Sequence, residues 1–248
     1  MAGKLTSLVA TQDMTQGSPS GNLIRFSVPL LIGNLAQQLY STVDSIVVGA
    51  YVGDNALAAV GASGPILNLL LVLFMGISVG ASVMVSQYFG AKDRERLEET
   101  IGTTITATVV SSIFIMIVGP LITPPVMSLL GTPEEIHDMA CTYLIIQFAG
   151  IIGTAFYNIL SGVLRGLGDS VMPVIFLIIA CLLNIVLDVW FVAGFHWDVA
   201  GVAIATIISQ IVSGSLCLIR LLHMHEVLTV KPSHLRPKAR FLKQLIKL

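Results

Sequence analysis

Two of the fourteen acidic residues, Asp44 and Asp188, lie deep within apolar runs, where an ionisable side chain is rare and costly. Asp188 belongs to the stretch LLNIVLDVWF, and Asn184 precedes it by one helical turn, so the two side chains share a helix face. Asp44 ends a stripe of polar residues at helical spacing: Asn34, Gln37, Ser41 and Asp44. Carboxylate and amide oxygens suit hard cations and protons, so these residues predict ion-binding chemistry.

The composition places these acids in a membrane. Apolar residues make up 55% of the 248 and charged residues only 11%, whereas about a quarter of the residues in soluble domains are charged. Six stretches are long and apolar enough to cross a bilayer as helices. They run near residues 26–51, 57–88, 101–125, 139–163, 173–195 and 200–221. The sequence therefore predicts an all-α membrane protein built as a six-transmembrane-helix bundle.

The basic residues indicate how the six spans are oriented. With the N-terminus inside, all thirteen Lys and Arg fall in inner segments or at their edges, and the outer loops carry Asp and Glu only. A break of the second span at Gly64-Pro65 would add a crossing and scatter these charges over both sides. We therefore predict six crossings of the cell membrane, with the N-terminus and the C-terminal tail in the cytoplasm.

The depth of each polar residue follows from the rise of a helix, about 1.5 Å per residue. Asp44 lies roughly 8 Å outward of the middle of its span, and Asp188 lies several ångströms outward of its own. Thr206, on the sixth span, lies about 7 Å outward. We therefore expect two carboxylates, the Asn184 amide and a hydroxyl to meet in one pocket in the outer half of the membrane.

Two carboxylates in such a pocket need a compensating positive charge. The spans contain no Lys, Arg or His, except at their inner ends. A proton or a bound cation must then supply the positive charge. If the cation is a metal ion, Na+ could be held by the oxygens of four residues: Asp44, Asn184, Asp188 and Thr206. Loading such a site changes the relative stability of two conformations, as in an ion-coupled carrier. The structural alternative is that the acids join helices by hydrogen bonds and that Thr206 bonds its own backbone.

Other polar residues of the spans could line a substrate cavity or could be packing contacts: Asn34, Gln37, Ser41 and Asn158. The Gly76–Gly80 pair predicts close helix packing. The three cysteines lie in apolar stretches without metal or redox spacing, so they are predicted to be small buried hydrophobes. No cofactor besides a coupling ion is predicted. The net charge of −1 and the lack of long like-charge runs give no sign of a nucleic-acid partner.

The two ends of the chain differ from the spans in composition. Residues 1–22 are polar and are predicted to be a cytoplasmic tail, whereas residues 223–248 turn basic and amphipathic, as suits the anionic inner leaflet. The final QLIKL repeats the pattern of NLIRF, which leads into the first span. Many transporters are repeated helical bundles. We therefore expect residues 23–222 to form one six-helix lobe and residues 223–248 to be a linker toward a second, missing C-terminal lobe.

Several stretches between about residues 23 and 222 form a recognisable combination. The first span and the turn after it read PLLIGNLAQQLYSTVDSIVVGAYVGDNALAAVG, an inner loop reads RGLGDSVMP, and LLNIVLDVWF is followed by GVAIATIISQ. These resemble the first helix, the Arg-Gly-x-Gly-Asp signature, and the fifth and sixth helices of the multidrug and toxic compound extrusion (MATE) transporters. The resemblance implies a twelve-helix fold of two six-helix lobes, of which this chain matches the N-terminal lobe.

The resemblance also implies a function and a site. It implies a cation-coupled antiporter, driven by Na+ or H+, that exports small organic cations or drugs, and it assigns the cation site to the same four positions: Asp44, Asn184, Asp188 and Thr206. A lipid or oligosaccharide flippase of the same superfamily is one alternative, although a phosphate cargo would require basic residues in the cavity. A non-transporting membrane assembly subunit is another. An enzyme is not expected, because all five histidines lie in loops or the tail and no nucleophile pairs with them.

Overall fold

The computed structural model describes residues 19–224 of the chain. Residues 225–248 of the predicted linker (223–248) and residues 1–18 of the predicted tail (1–22) therefore lie outside the described residues, and both assignments stay predictions. The first helix begins at Pro19, so residues 19–22 of the predicted tail are helical.

All of the regular elements between residues 19 and 224 are helical. In chain order they are α1 (Pro19–Tyr51), α2 (Asp54–Gly90), α3 (Arg94–Leu129), α4 (Glu134–Ala149), α5 (Ile151–Gly166), α6 (Val171–Val189), a π-helical turn (Trp190–Gly194) and α7 (Asp198–Leu222).

Five of the six predicted membrane crossings are recognisable among these helices by length and composition. By length and composition, α2, α3, α6 with its π-helical turn, and α7 can each cross a membrane, and α4 with α5 forms a fifth crossing bent by 52°. The sixth is α1, whose 33 residues reach about 50 Å. It is less apolar than the others because it carries the polar stripe that ends at Asp44. The predicted six-helix all-α bundle is confirmed.

Helix α2 continues through the Gly64-Pro65 pair at which a break could have been expected. It runs for 37 residues with Pro65 inside it, so the second span crosses once. Its length of about 55 Å exceeds the roughly 30 Å of bilayer hydrocarbon, so the helix extends beyond the membrane core.

The fourth span, predicted over residues 139–163, bends at Gly150 between α4 and α5. A Cβ atom on Gly150 would overlap the Ile207 side chain of α7, and one on Gly153 would lie 2.9 Å from the backbone nitrogen of Ile211. Only glycine allows two helices to approach so closely. The bend thus follows the surface of α7, with which α5 forms the most extensive helix contact of the bundle.

A second close crossing joins α2 to α5. Added Cβ atoms on Gly162 and Gly166 would lie 2.7 Å from the backbone oxygens of Ser78 and Ser82, respectively. In contrast, no heavy atom lies within 4 Å of a Cβ built on Gly76. The close packing predicted for the Gly76–Gly80 pair is therefore wrong for Gly76, and the contact is made by the serines that follow it.

At the end of the bundle where α6 begins and α7 ends, Asp169 connects these two helices. Its Oδ1 accepts a hydrogen bond from the Met172 backbone nitrogen at 3.2 Å, in the first turn of α6. Its Oδ2 accepts one from Arg220 Nε at 3.0 Å, in the last turn of α7. The Asp169 side chain is only 2% exposed, so solvent screens this ion pair weakly. Asp169 therefore joins the two helices that carry Asn184, Asp188 and Thr206.

Replacing Asp169 with asparagine should lower the free energy of unfolding by about 1.5 to 3 kcal/mol, the usual contribution of a hydrogen bond to a charged group. Asparagine keeps an oxygen for the Met172 nitrogen but loses the charge that faces Arg220. Unfolding of the purified protein in detergent, followed by circular dichroism, would measure the change.

Asp93→Asn is the matched control for Asp169→Asn. Asp93 caps α3 through Arg96 N at 3.2 Å and forms an exposed ion pair with the Arg96 side chain. Asparagine caps helices as well as aspartate does, and exposed ion pairs contribute less than about 1 kcal/mol. Equal effects of the two substitutions would show that the Asp169 pair is no stronger than a surface contact.

Candidate cation site

The four residues expected to form one pocket lie together. Asp188, Asn184 and Thr206 all neighbour the Asp44 carboxylate closely enough to interact with it, so α1, α6 and α7 converge on one point. Thr206 Oγ1 is 3.5 Å from Asp44 Oδ2 and 3.0 Å from the Val202 carbonyl oxygen. The hydroxyl hydrogen is donated in the shorter bond, to Val202. Thr206 therefore bonds the backbone of its own helix, as one of the two sequence-based interpretations predicted. This bond also leaves the lone pairs of the Thr206 oxygen free to accept a hydrogen bond or bind a cation.

The site is closed on the side of α6. Asn184 and Asp188 are fully buried, and Asp44 is 7% exposed. Within residues 19–224, five buried polar atoms of these side chains have no hydrogen-bond partner: Asp44 Oδ1, both carboxylate oxygens of Asp188, and both amide atoms of Asn184. Each buried polar atom without a partner costs about 1 to 3 kcal/mol. The geometry therefore favours a ligand that satisfies several oxygens at once, as a proton or a hard cation does.

A cavity of about 500 Å³ lies on the other side of Asp44. The Asp44 and Thr206 side chains line it, together with three of the four predicted cavity-lining residues: Gln37, Ser41 and Asn158. Asn34, the fourth, lines a different cavity. Neither Asn184 nor Asp188 is part of the lining. Asp44 thus stands between an accessible cavity and an enclosed pair of polar residues.

Two tyrosines that were not predicted also belong to the surroundings of the acids. Tyr40 precedes Asp44 by one turn of α1 and is 4% exposed, and Tyr143 of α4 is equally buried. Both line the cavity beside Asp44. The spacing of four residues between Tyr40 and Asp44 could have identified the first from the sequence. Tyr143 has no such signal, because it reaches the site from a different helix.

The chain changes its helical geometry directly after Asp188. The α-helix ends at Val189, and the π-helical turn Trp190–Gly194 follows. Four aromatic rings pack beside this turn with centroids 5.3 to 6.3 Å apart: Trp190, Phe191, Phe195 and Trp197. Such residues collect at the interface between membrane and water. The aromatic cluster therefore marks the end of the span that carries Asp188, and π-helical turns often occur at functional sites.

One part of the argument against an enzyme is wrong, since side chains of the nucleophilic type do lie beside a histidine. His137, in the first turn of α4, has its Nε2 3.1 Å from Ser128 Oγ and its Nδ1 3.8 Å from Cys141 Sγ. The carboxylate nearest to this imidazole, that of Asp138, is fully exposed to solvent. A hydrolytic triad needs a buried carboxylate that orients the imidazole, and this surface cluster does not provide one.

Comparison with known proteins identifies the same family that the sequence motifs resemble. The family model MatE matches residues 29–190. A relative named probable multidrug resistance protein YpnP, from Bacillus subtilis (strain 168), is 35% identical over 198 residues, which are 80% of this chain and 44% of that protein. The chain spans about half the length of the curated relatives it matches.

Solved structures agree with the sequence comparison. A crystal structure of MATE in the bent conformation superposes with a TM-score of 0.86 at 27% identity, over 93% of this chain and 52% of that one. An outward-facing multidrug resistance MATE family transporter of the MOP superfamily superposes with a TM-score of 0.84 at 28% identity, over 94% and 51%. Each match covers one lobe. The chain therefore belongs to the MatE family and corresponds to the N-terminal lobe of a multidrug and toxic compound extrusion transporter.

Proposed function

We propose that this chain is the ion-coupling lobe of an antiporter that uses Na+ or H+ to export organic cations or drugs. The observation that supports it is the enclosed Asn184–Asp188 pair behind Asp44, with buried polar atoms that have no partner within residues 19–224. Protonation of a carboxylate, or an Na+ ion held by oxygens of Asp44, Asn184, Asp188 and Thr206, would give partners to the oxygens among these atoms. The coupling ion is the only cofactor that this function requires.

The position of Asp44 suggests how ion and cargo exclude each other. Its carboxylate borders both the cavity and the Asn184–Asp188 pair. While the pair holds no ion, the negative charge of Asp44 attracts an organic cation into the cavity. A bound Na+ or proton compensates that charge, so the affinity for the organic cation falls. Reciprocal weakening of this kind is the coupling free energy that antiport needs.

The lining of the cavity favours a cationic cargo over a phosphate-bearing one. Two carboxylates lie in or behind its wall, and no Lys, Arg or His is among the residues that line it. The lipid or oligosaccharide flippase is therefore the weaker proposal. No observation in residues 19–224 specifically favours a non-transporting assembly subunit.

MATE family membership and the apolar helices identify a multi-pass membrane protein. We further propose that a second six-helix lobe is its partner, since the matched transporters are about twice as long. The inner position of the basic residues supports cytoplasmic N- and C-terminal tails. The bilayer and a small organic cation complete the proposed partners, and a nucleic acid is not among them.

Efflux of the cationic dye ethidium from cells that express the chain with its second lobe would test the proposal. At a fixed membrane potential, the efflux rate should rise with an inward gradient of Na+ or of protons. Asp44→Asn should lower the rate about tenfold or more, because the carboxylate contacts both ion and cargo.

Thr42→Ala is the control for Asp44→Asn, since Thr42 lies on the same helix, is exposed and does not line the cavity. Its efflux rate should equal that of the wild type. Efflux that responds to neither gradient, or that survives Asp44→Asn, would rule out the proposed coupling.

A further inference from the structure

A second cavity lies toward the inner side of the bundle, and none of the four residues of the proposed cation site lines it. Its volume is about 330 Å³, and α1, α2, α5 and α6 enclose it. Arg165 is the one charged residue of its lining. Several hydroxyl and amide side chains also line it, among them Asn34, Ser78, Ser82, Ser161 and Ser170. Arg165 belongs to the last turn of α5, whereas the sequence placed it in a loop. The cavity therefore carries a positive charge.

The charge of Arg165 is not balanced by a neighbouring carboxylate. Its Nη2 donates to Ser161 Oγ at 3.2 Å, and a guanidinium has five N–H donors in all. Within residues 19–224, no carboxylate lies within 4.0 Å of it, since the ion pairs of this region join other residues. Asp169, four residues further along the chain, pairs with Arg220. The unused donors of Arg165 are therefore available to a ligand.

We propose that this cavity binds the oxyanion group, phosphate or carboxylate, of an amphiphilic molecule that enters from the inner side of the membrane. A guanidinium binds such groups through two parallel hydrogen bonds, and the hydroxyls of Ser82 and Ser170, which also line the cavity, can donate further ones. Basic pockets between membrane helices on the cytoplasmic side are typical binding sites of lipid head groups. Met75 and Val79 also line the cavity and are 45% and 64% exposed, so they provide an apolar surface for a hydrocarbon tail.

The two cavities have opposite charges and share part of their walls. Gln37 and Asn158 line both of them, with Asp44 on the outer side and Arg165 on the inner side. A cation and an anion are therefore attracted to different ends of one polar passage. The oxyanion site depends on Arg165 alone for its charge, so it stands whether or not Asp44 and Asp188 couple transport to an ion.

Binding of defined amphiphiles to the full chain in a neutral detergent tests the oxyanion site. The probes are dioctanoyl phosphatidylglycerol, which carries a phosphate, decanoate, which carries a carboxylate, and neutral dioctanoylglycerol. Native mass spectrometry counts the bound molecules and gives their affinities. At least one anionic probe should bind at saturation with one molecule per chain, and Arg165→Gln should weaken it about tenfold or more. Dioctanoylglycerol should bind weakly and equally to both proteins.

The two anionic probes distinguish the two sources of the oxyanion. Tighter binding of the phosphatidylglycerol identifies a lipid head group, and tighter binding of decanoate identifies a carboxylate-bearing small molecule. Lys92→Gln is the matched control, because Lys92 is exposed at the inner side and loses the same charge without touching the cavity. Equal weakening by Lys92→Gln would overturn the proposal, since it would show only general attraction to the surface.

A second pair of variants keeps the test decisive if Arg165→Gln does not fold. Arg165→Lys retains the charge but not the two parallel hydrogen bonds, so it should bind the anionic probes with intermediate affinity. Ser82→Leu narrows the cavity and leaves Arg165 in place. Unchanged binding of the anionic probes to folded Ser82→Leu or Arg165→Gln protein would overturn the proposal.

Discussion

Asp188→Asn should abolish ion coupling while it leaves the binding of organic cations intact. The substitution keeps the shape of a fully buried side chain and removes its charge, and Asp188 does not line the cavity beside Asp44. A charged ligand contributes about 1.5 to 3 kcal/mol to binding, so its loss should lower the affinity for the coupling ion roughly 10- to 100-fold. The Asp44 charge would then lack its competitor, so the organic cation should bind as tightly as before or more tightly.

Two measurements on the purified protein separate these effects. Binding of radioactive Na+, repeated over a range of pH, reports the coupling ion, and fluorescence of bound ethidium reports the cargo. The control is Asp198→Asn, which removes an exposed acid at the start of α7, where the backbone has a φ of 45° that asparagine readily adopts. Asp188→Asn protein in which Na+ and protons still displace ethidium as in the wild type would refute the role of Asp188.

The position of the candidate cation site was predictable because the relevant helices are regular. Asp44, Asp188 and Thr206 lie on uninterrupted parts of α1, α6 and α7, so a constant rise per residue places them at similar depths. The periodicity of the stripe likewise predicted that Gln37 and Ser41 face the same cavity as Asp44. Neither argument could separate Asp44, which borders the cavity, from Asp188, which is closed off behind it. That difference depends on the packing of neighbouring helices.

Apart from Tyr40, which lies one helical turn from Asp44, the main features that sequence reasoning missed depend on contacts between distant parts of the chain. The bend at Gly150 follows from the approach of Ile207, and no pattern within residues 139–163 announces it. Arg165 looked like part of an inner loop because its charge ends the apolar run. The packing of α2, α5 and α6 around it creates the inner cavity. Local spacing therefore predicted which residues share a helix face, and tertiary packing decided which of them share a space.

The crossing of α2 and α5 should be the position at which one added methyl group harms the fold most. In Gly162→Ala, the new Cβ would overlap Ser78 Oγ and lie 2.7 Å from the Ser78 backbone oxygen. Ser78 cannot simply turn away, since its hydroxyl donates to the Asn158 carbonyl oxygen at 2.6 Å. The helices must separate, and overpacking of this kind costs typically about 1 to 3 kcal/mol. The separation should also widen both cavities, because Asn158 lines each of them.

Gly76→Ala makes the same chemical change one half-turn before Ser78 and should have the opposite sign. No heavy atom lies within 4 Å of its new Cβ, so only the helix preference of alanine over glycine remains, which stabilises by about 0.5 to 1 kcal/mol. Thermal unfolding of both variants in detergent, monitored by circular dichroism, measures the difference. A lower melting temperature for Gly162→Ala with an equal or higher one for Gly76→Ala is the expected result. Equal shifts would mean that backbone preference, rather than the close approach of Ser78, determines the effect at Gly162.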